Sequence, residues 1–170
     1  MKRILFKILK ILLGLYLILC GILYFFQEKL IFFPQKLDKA FQFQFDQPFV
    51  EQNINTPDGH VLNGLLFKSD SSKGLVFYLH GNAGCLSTWG HVAKTYTDLQ
   101  YDIFVLDYPG YGKSNGSISS QSQLFEAIQA AYDEQKKHYE ESKIVVLGYS
   151  IGTGLAAKLA SVNHPKLLVL

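Results

Sequence analysis

An α/β fold with a mostly parallel sheet and helices on both faces is the class this sequence predicts, and three observations predict it. Short runs at Leu75–Leu79, Ile103–Leu106 and Ile144–Leu147 are apolar along their whole length and end in glycine-bearing turns. Strands covered on both faces read this way. Stretches with apolar residues at helical spacing lie between them. Such alternation implies parallel strands joined by right-handed crossovers. The third observation is an N-terminal apolar stretch of a different kind, which predicts a transmembrane helix ahead of the α/β domain.

From Ile4 to Phe26 the chain runs 23 residues interrupted by charge only at Lys7 and Lys10. As a helix this stretch would span roughly 34 Å, enough for a hydrocarbon core of about 30 Å. The lysines fall near one end, where their stems can run along the helix and keep the ammonium groups at the interface. Tyr24, Phe25 and Phe26 suit the opposite interface. A cleaved signal would need small residues after the apolar run, and Leu23-Tyr24-Phe25-Phe26-Gln27-Glu28 is bulky. A lipoprotein signal would place a small residue before Cys20, but Leu19 stands there. Residues 1–26 are therefore read as an uncleaved signal anchor, with membrane lipid as its partner along residues 4–26. Lys2, Arg3, Lys7 and Lys10 put the N-terminus in the cytoplasm and the following domain on the opposite, extracytoplasmic side. That side is the periplasm in a Gram-negative source.

Residues 27–48 read as a juxtamembrane connector. Ile31, Phe32, Phe33, Phe41, Phe43 and Phe45 are too many bulky apolar residues for a flexible linker, and two placements stay open, on the domain or at the membrane surface. Residues 49–170 form the domain. Phe49–Asn55 and His60–Phe67 flank Thr56-Pro57-Asp58-Gly59, a hairpin signal. Leu86–Leu99 predicts one helix. A second starts at Ser120 with Gln123 three residues on, a capping box followed by Leu124, Ile128, Ala131 and Tyr132 on one face. A third covers Ile151–Val162 and stops near Asn163 and Pro165. Leu167–Leu170 begins a further apolar strand.

Composition narrows the function. With 48% apolar and 18% charged residues, the chain is not of the disordered, charge-rich kind. Beyond the four N-terminal cations, twelve basic and fourteen acidic residues leave −2. A mildly acidic domain without a basic run predicts no nucleic-acid binding. Cys20 and Cys85 would occupy different phases, and no Cys/His spacing suits a metal. No cofactor is expected.

The chemistry concentrates in three turns. Gly148-Tyr149-Ser150-Ile151-Gly152 follows an apolar strand and opens a helix. Such a bend projects a serine hydroxyl at the carboxyl edge of the sheet. Gly148 and Gly152 leave space where side chains would collide, and the helix N-terminus supplies free N–H groups and partial positive charge. The bland alternative is a glycine-rich turn beside an N-capping serine; the flanking strand and helix favour a nucleophile. The second turn is His80-Gly81-Asn82-Ala83-Gly84. Two backbone N–H groups aimed at an oxyanion stabilise it, each by about 3 kcal/mol. Ile151 would give one donor and Asn82 the other, with Ala83 as the alternative to Asn82. Gly81 and Gly84 let the backbone approach, and His80 shapes the loop rather than acting as base. In the third turn, Asp107-Tyr108-Pro109-Gly110-Tyr111-Gly112-Lys113-Ser114, the Asp107 carboxylate is expected to order a Pro-Gly bend. His60, His91, His138 and His164 read as surface or turn residues, and Trp89 as packing near the second turn.

Together His80–Gly84, Asp107–Ser114 and Gly148–Gly154 resemble the α/β-hydrolase superfamily, and within it membrane-anchored members of the serine aminopeptidase-like branch. The Leu30–Pro34 segment shares that likeness. The resemblance implies strand order 1-2-4-3-5-6, the first two antiparallel, and a metal-free serine hydrolase acting on esters, lipids or peptides through an acyl-enzyme at Ser150. It also implies a departure. Family members place the triad acid and histidine after further strands, whereas twenty residues follow Ser150 here, with His164 as their one histidine. The expectation is a truncated chain, strands one to six of an incomplete sheet, lacking the base and its orienting acid and inactive alone, with its last strand a bare apolar edge. The alternative is an inactive membrane-tethered binding or structural protein.

Overall fold

The computed structural model describes residues 2–170 and divides them into two compact units, up to Phe32 and from Phe33 onward. The first is a single helix, α1 (Lys2–Ile31), with no residue buried. Its most apolar stretch has a mean hydropathy of 2.4, so it is long and apolar enough to cross a membrane.

The second unit is built on a six-stranded sheet: β1 (Phe49–Asn55), β2 (Val61–Phe67), β3 (Leu75–Leu79), β4 (Asp102–Leu106), β5 (Ile144–Gly148) and β6 (Leu167–Val169). Its spatial order is β1-β2-β4-β3-β5-β6. The pairs β1/β2 and β2/β4 are antiparallel, and β4, β3, β5 and β6 run parallel. The expected order and class therefore hold. β1 and β2 form the hairpin around Asp58-Gly59, where Gly59 takes φ +83°, a value that glycine supplies at little cost.

Alternation along β3 sends side chains to two cores. Val76 and Tyr78 join Leu65, Phe67, Ile103 and Val105 beneath a helical path made of α2 (Leu86–Trp89), a 3₁₀ turn at Gly90–Val92 and α3 (Ala93–Asp98). One uninterrupted helix was expected there. The tightening falls where the Phe45 ring packs on Gly90, a contact that a Cβ would overlap. On the opposite face Phe77 meets Phe104 and Tyr132, with ring centroids 5.7 and 5.3 Å away. Tyr132 lies on α4 (Gln121–Lys136), whose N-cap Ser120 accepts the Gln123 N–H at 3.1 Å. Phe77, Phe104 and Tyr132 are fully buried, and each such side chain contributes roughly 2 kcal/mol relative to exposure. The last helix, α5 (Gly152–Val162), buries Leu155, Ala156 and Leu159.

The connector from Phe33 onward belongs to this unit. Phe43 is buried in the first core, and Phe41, Phe43, Phe45 and Phe49 form a chain of ring contacts. Phe33–Pro34 make a two-residue parallel ladder with Ala83–Gly84. Of the two placements left open by the sequence, residues 33–48 take the domain.

Candidate active site

β3 and β5 are neighbours, with Leu79 opposite Gly148, so the turns that leave them emerge side by side at the same sheet edge. The Tyr149 N–H donates to the Leu79 carbonyl at 2.9 Å, closing the bend after β5 onto the end of β3. The next residue, Ser150, takes φ +55°. That is left-handed backbone, costly for a side chain with a Cβ and concentrated at functional sites. Among the described residues Gln100 is the other non-glycine residue with positive φ.

Two glycines permit the bend. A Cβ on Gly148 would overlap the Gly152 carbonyl, and one on Gly152 would overlap the Leu79 carbonyl and lie 2.8 Å from that of His80. The first turn of α5 thus rests directly on the backbone at the end of β3. The Ser150 carbonyl accepts the Thr153 N–H at 3.0 Å and the Thr153 hydroxyl at 2.6 Å. Ser150 is exposed, and its Oγ makes no hydrogen bond to the described residues. Ile151 stands at the N-cap of α5.

Opposite the bend, the carbonyls of His80–Gly84 are each tied to the scaffold. The His80 carbonyl accepts the Tyr108 hydroxyl at 2.7 Å. The Gly81 carbonyl accepts His80 Nδ1–H at 2.7 Å. The Asn82 carbonyl accepts the Tyr111 hydroxyl at 2.7 Å and the Phe33 N–H at 2.9 Å. Those of Ala83 and Gly84 accept Trp89 Nε1–H at 2.8 Å and the Gln35 N–H at 3.2 Å. Burial raises the Tyr108 and Tyr111 phenols well above their usual range, so both remain protonated donors.

Beneath this loop His80 and Asp107 are wholly buried, with Nε2 and Oδ1 3.4 Å apart. The Asp107 carboxylate does not stop at its own turn. It packs against Gly112 and accepts the Leu86 N–H at 3.0 and 3.2 Å, anchoring the start of α2. Burial pushes the Asp107 carboxyl above the usual range, against the pull of His80 and that N–H.

The structure therefore brings together Ser150, Ile151, Gly148 and Gly152 on one side and His80, Gly81, Asn82 and Gly84 on the other, with Asp107 below. The two sides meet at Gly81, where an added Cβ would lie 3.3 Å from the Trp89 ring and 3.5 Å from that of Tyr149. Sequence reasoning missed Tyr108 and Tyr111 as donors and the connector as a part of the loop. Two tyrosines three apart in a glycine-rich turn after a strand were the available signal. Among the described residues no group of three or more His, Cys, Asp or Glu side chains is placed to hold a metal ion.

A serine at positive φ between a buried strand and a helix, facing a glycine-rich loop from the neighbouring strand, is an α/β-hydrolase arrangement. The chain belongs to that family: the model for the alpha/beta hydrolase fold matches residues 74–168. It is similar to the protein bem46 of Schizosaccharomyces pombe, 30% identical over 165 residues that cover 91% of this chain and 55% of that protein. It is similar also to lysophosphatidylserine lipase ABHD12 of Gallus gallus, 34% identical over 91 residues covering 52% of this chain and 24% of that one. The chain thus spans about half the length of the first relative and a quarter of the second. Among solved structures an esterase of Pyrococcus furiosus superposes at a TM-score of 0.61 with 21% identity, over 75% of this chain and 50% of that one. That likeness shows the fold.

Proposed function

We propose that this chain carries the nucleophile half of a membrane-anchored serine hydrolase that cleaves ester bonds, with lipids as the favoured substrate class. The observation that carries the reading is Ser150 at φ +55° between β5 and α5. Ser150 Oγ attacks the acyl carbon and forms the acyl-enzyme. The oxyanion is held by the N–H groups of Ile151 and Asn82, with Ala83 the alternative to Asn82. The named activity of one relative, a lysophosphatidylserine lipase, supports an ester or lipid over a peptide. The apolar helix α1 would tether the chain to a membrane, its N-terminus on the cytoplasmic side.

Acyl transfer also needs an imidazole to take the serine proton. His80 is engaged with Gly81 and Asp107, and His60 with Asp58 at 2.8 Å. Ser150 Oγ makes no hydrogen bond to a histidine among the described residues, and we place the base and its acid outside these 170 residues. The same observation favours a second reading, a tethered binding protein without turnover.

Fluorophosphonate labelling of the 170-residue chain in detergent separates these readings, with no labelling expected of the binding protein. The expected result is slow labelling that disappears in Ser150→Ala. Rapid stoichiometric labelling lost in Ser150→Ala would show that a base lies within the chain. Labelling equal in both would remove Ser150 as nucleophile.

A further inference from the structure

The loop at His80–Gly84 presents a question that its own sequence does not answer: what fixes the direction of its amides? In a trans peptide the carbonyl of one residue and the N–H of the next point in opposite directions. Tying the Gly81 carbonyl therefore aims the Asn82 N–H, and tying the Asn82 carbonyl aims the Ala83 N–H. His80 Nδ1 performs the first tie, and Tyr111 Oη together with the Phe33 N–H performs the second. Two of the donors that lock this row come from the connector's main chain, Phe33 N–H onto Asn82 and Gln35 N–H onto Gly84.

The connector is itself clamped in place. The Leu37 N–H donates to the Gly112 carbonyl at 2.9 Å, and the Gly112 N–H returns to the Gln35 carbonyl at 2.8 Å. Lys36 forms a parallel bridge with Gly112. Phe33 is 55% exposed, so its contribution lies in its main chain and not in its ring. Residues 33–37 thus join the turn that carries Tyr111 to the loop that carries Asn82.

We infer that the Phe33–Gln35 main chain, with Tyr111, is a positioning element for the oxyanion amides, so that the connector sets the reactivity of Ser150 without touching the reacting atoms. The inference rests on the reading of this loop's amides as oxyanion donors, and its direct action falls on the Ala83 N–H, the alternative to that of Asn82. Its action is specific: removing the N–H at position 33 leaves the Asn82 carbonyl on the Tyr111 hydroxyl and loosens the Asn82–Ala83 peptide, while β3, β4 and β5 keep their pairing.

The test uses the full chain in detergent micelles with Phe33→Pro, which deletes the donor, and Phe33→Leu, which keeps it. Position 33 lies beyond the end of α1 and in extended backbone, where proline fits. Amide hydrogen exchange over residues 81–84 and the rate of Ser150 phosphonylation by a fluorophosphonate are read together. For Phe33→Pro, exchange at 81–84 rises and labelling falls about tenfold, less than the 10²–10³ for outright loss of an oxyanion donor. Exchange in β3–β5 stays as in the parent, and Phe33→Leu behaves as the parent. Unchanged exchange and labelling in Phe33→Pro, or equal damage from Phe33→Leu, overturns the inference. Where Phe33→Pro fails to fold, Tyr111→Phe removes the other tie on the same carbonyl. It is expected to move both readouts in the same direction, and its silence overturns the inference too. Labelling that persists in Ser150→Ala defeats the nucleophile instead, and exchange at 81–84 still decides whether the connector locks the loop.

Discussion

The bend at Ser150 and the loop at His80–Gly84 leave adjacent strands and face each other, yet they are held by opposite means. The bend is local. Two glycines, one left-handed serine and the first turn of α5 define it within five residues, and its long-range ties run to the end of β3. The loop is the reverse. Besides His80 and Trp89 close by, its main chain is fixed by tyrosines about thirty residues downstream and by a connector some fifty residues upstream. A serine bend can thus be written into a short motif, whereas the amides proposed to act with it depend on the whole domain being assembled.

Substitutions can break or sharpen this contrast. The largest effect is expected for Gly152→Ala, which drives a methyl group into the Leu79 carbonyl. A loss of about 3 kcal/mol, the upper end of overpacking costs, is expected in chemical denaturation, and a neutral result would show that the bend tolerates rearrangement. Next comes Tyr111→Phe, which strips a buried donor from a loop carbonyl that keeps its second partner. The same measurement should show a loss of about 1 kcal/mol. Ser150→Gly has the opposite sign, because relieving left-handed backbone should stabilise the chain by roughly 1 kcal/mol while abolishing labelling.

The last prediction concerns pH. From Ile144 to Leu159 the bend carries no acid or histidine, so the pH response of the paired turns belongs to the loop side. Asp107 has its folded pKa raised by burial. Its contribution to stability is therefore fully present below the unfolded value of about 3.9 and is lost as pH rises through the folded value. Thermal unfolding of the parent should decline relative to Asp107→Asn as pH increases from about 4. A constant difference between the two would mean that Asp107 ionises in the folded chain as it does in the unfolded one.

What the sequence made legible follows the same division. The strands and the bend around Ser150 rest on short-range pattern, the strand order on the family resemblance of the three turns, and glycine spacing reads directly from a string of letters. The 3₁₀ turn at Gly90 was not legible, and the Phe45 ring that packs on it sits forty-five positions away. Asp107 was assigned to its own turn for the same reason: nothing near it in the chain announces the Leu86 N–H. The connector's aromatic residues announced packing without naming a surface. Phe33 and Gln35 act through main-chain N–H groups, which no side-chain identity reveals.

The short ladder between Phe33–Pro34 and Ala83–Gly84 has a practical bearing on protein engineering. A soluble derivative is most naturally trimmed just ahead of the first long strand, at residue 48, which discards the apolar helix and what looks like spacer. That cut would also remove the Phe43 and Phe45 rings from under the sheet and strip two clasps from the loop. Trimming at residue 32 keeps both, so the place to cut is sixteen residues earlier than the layout of strands invites.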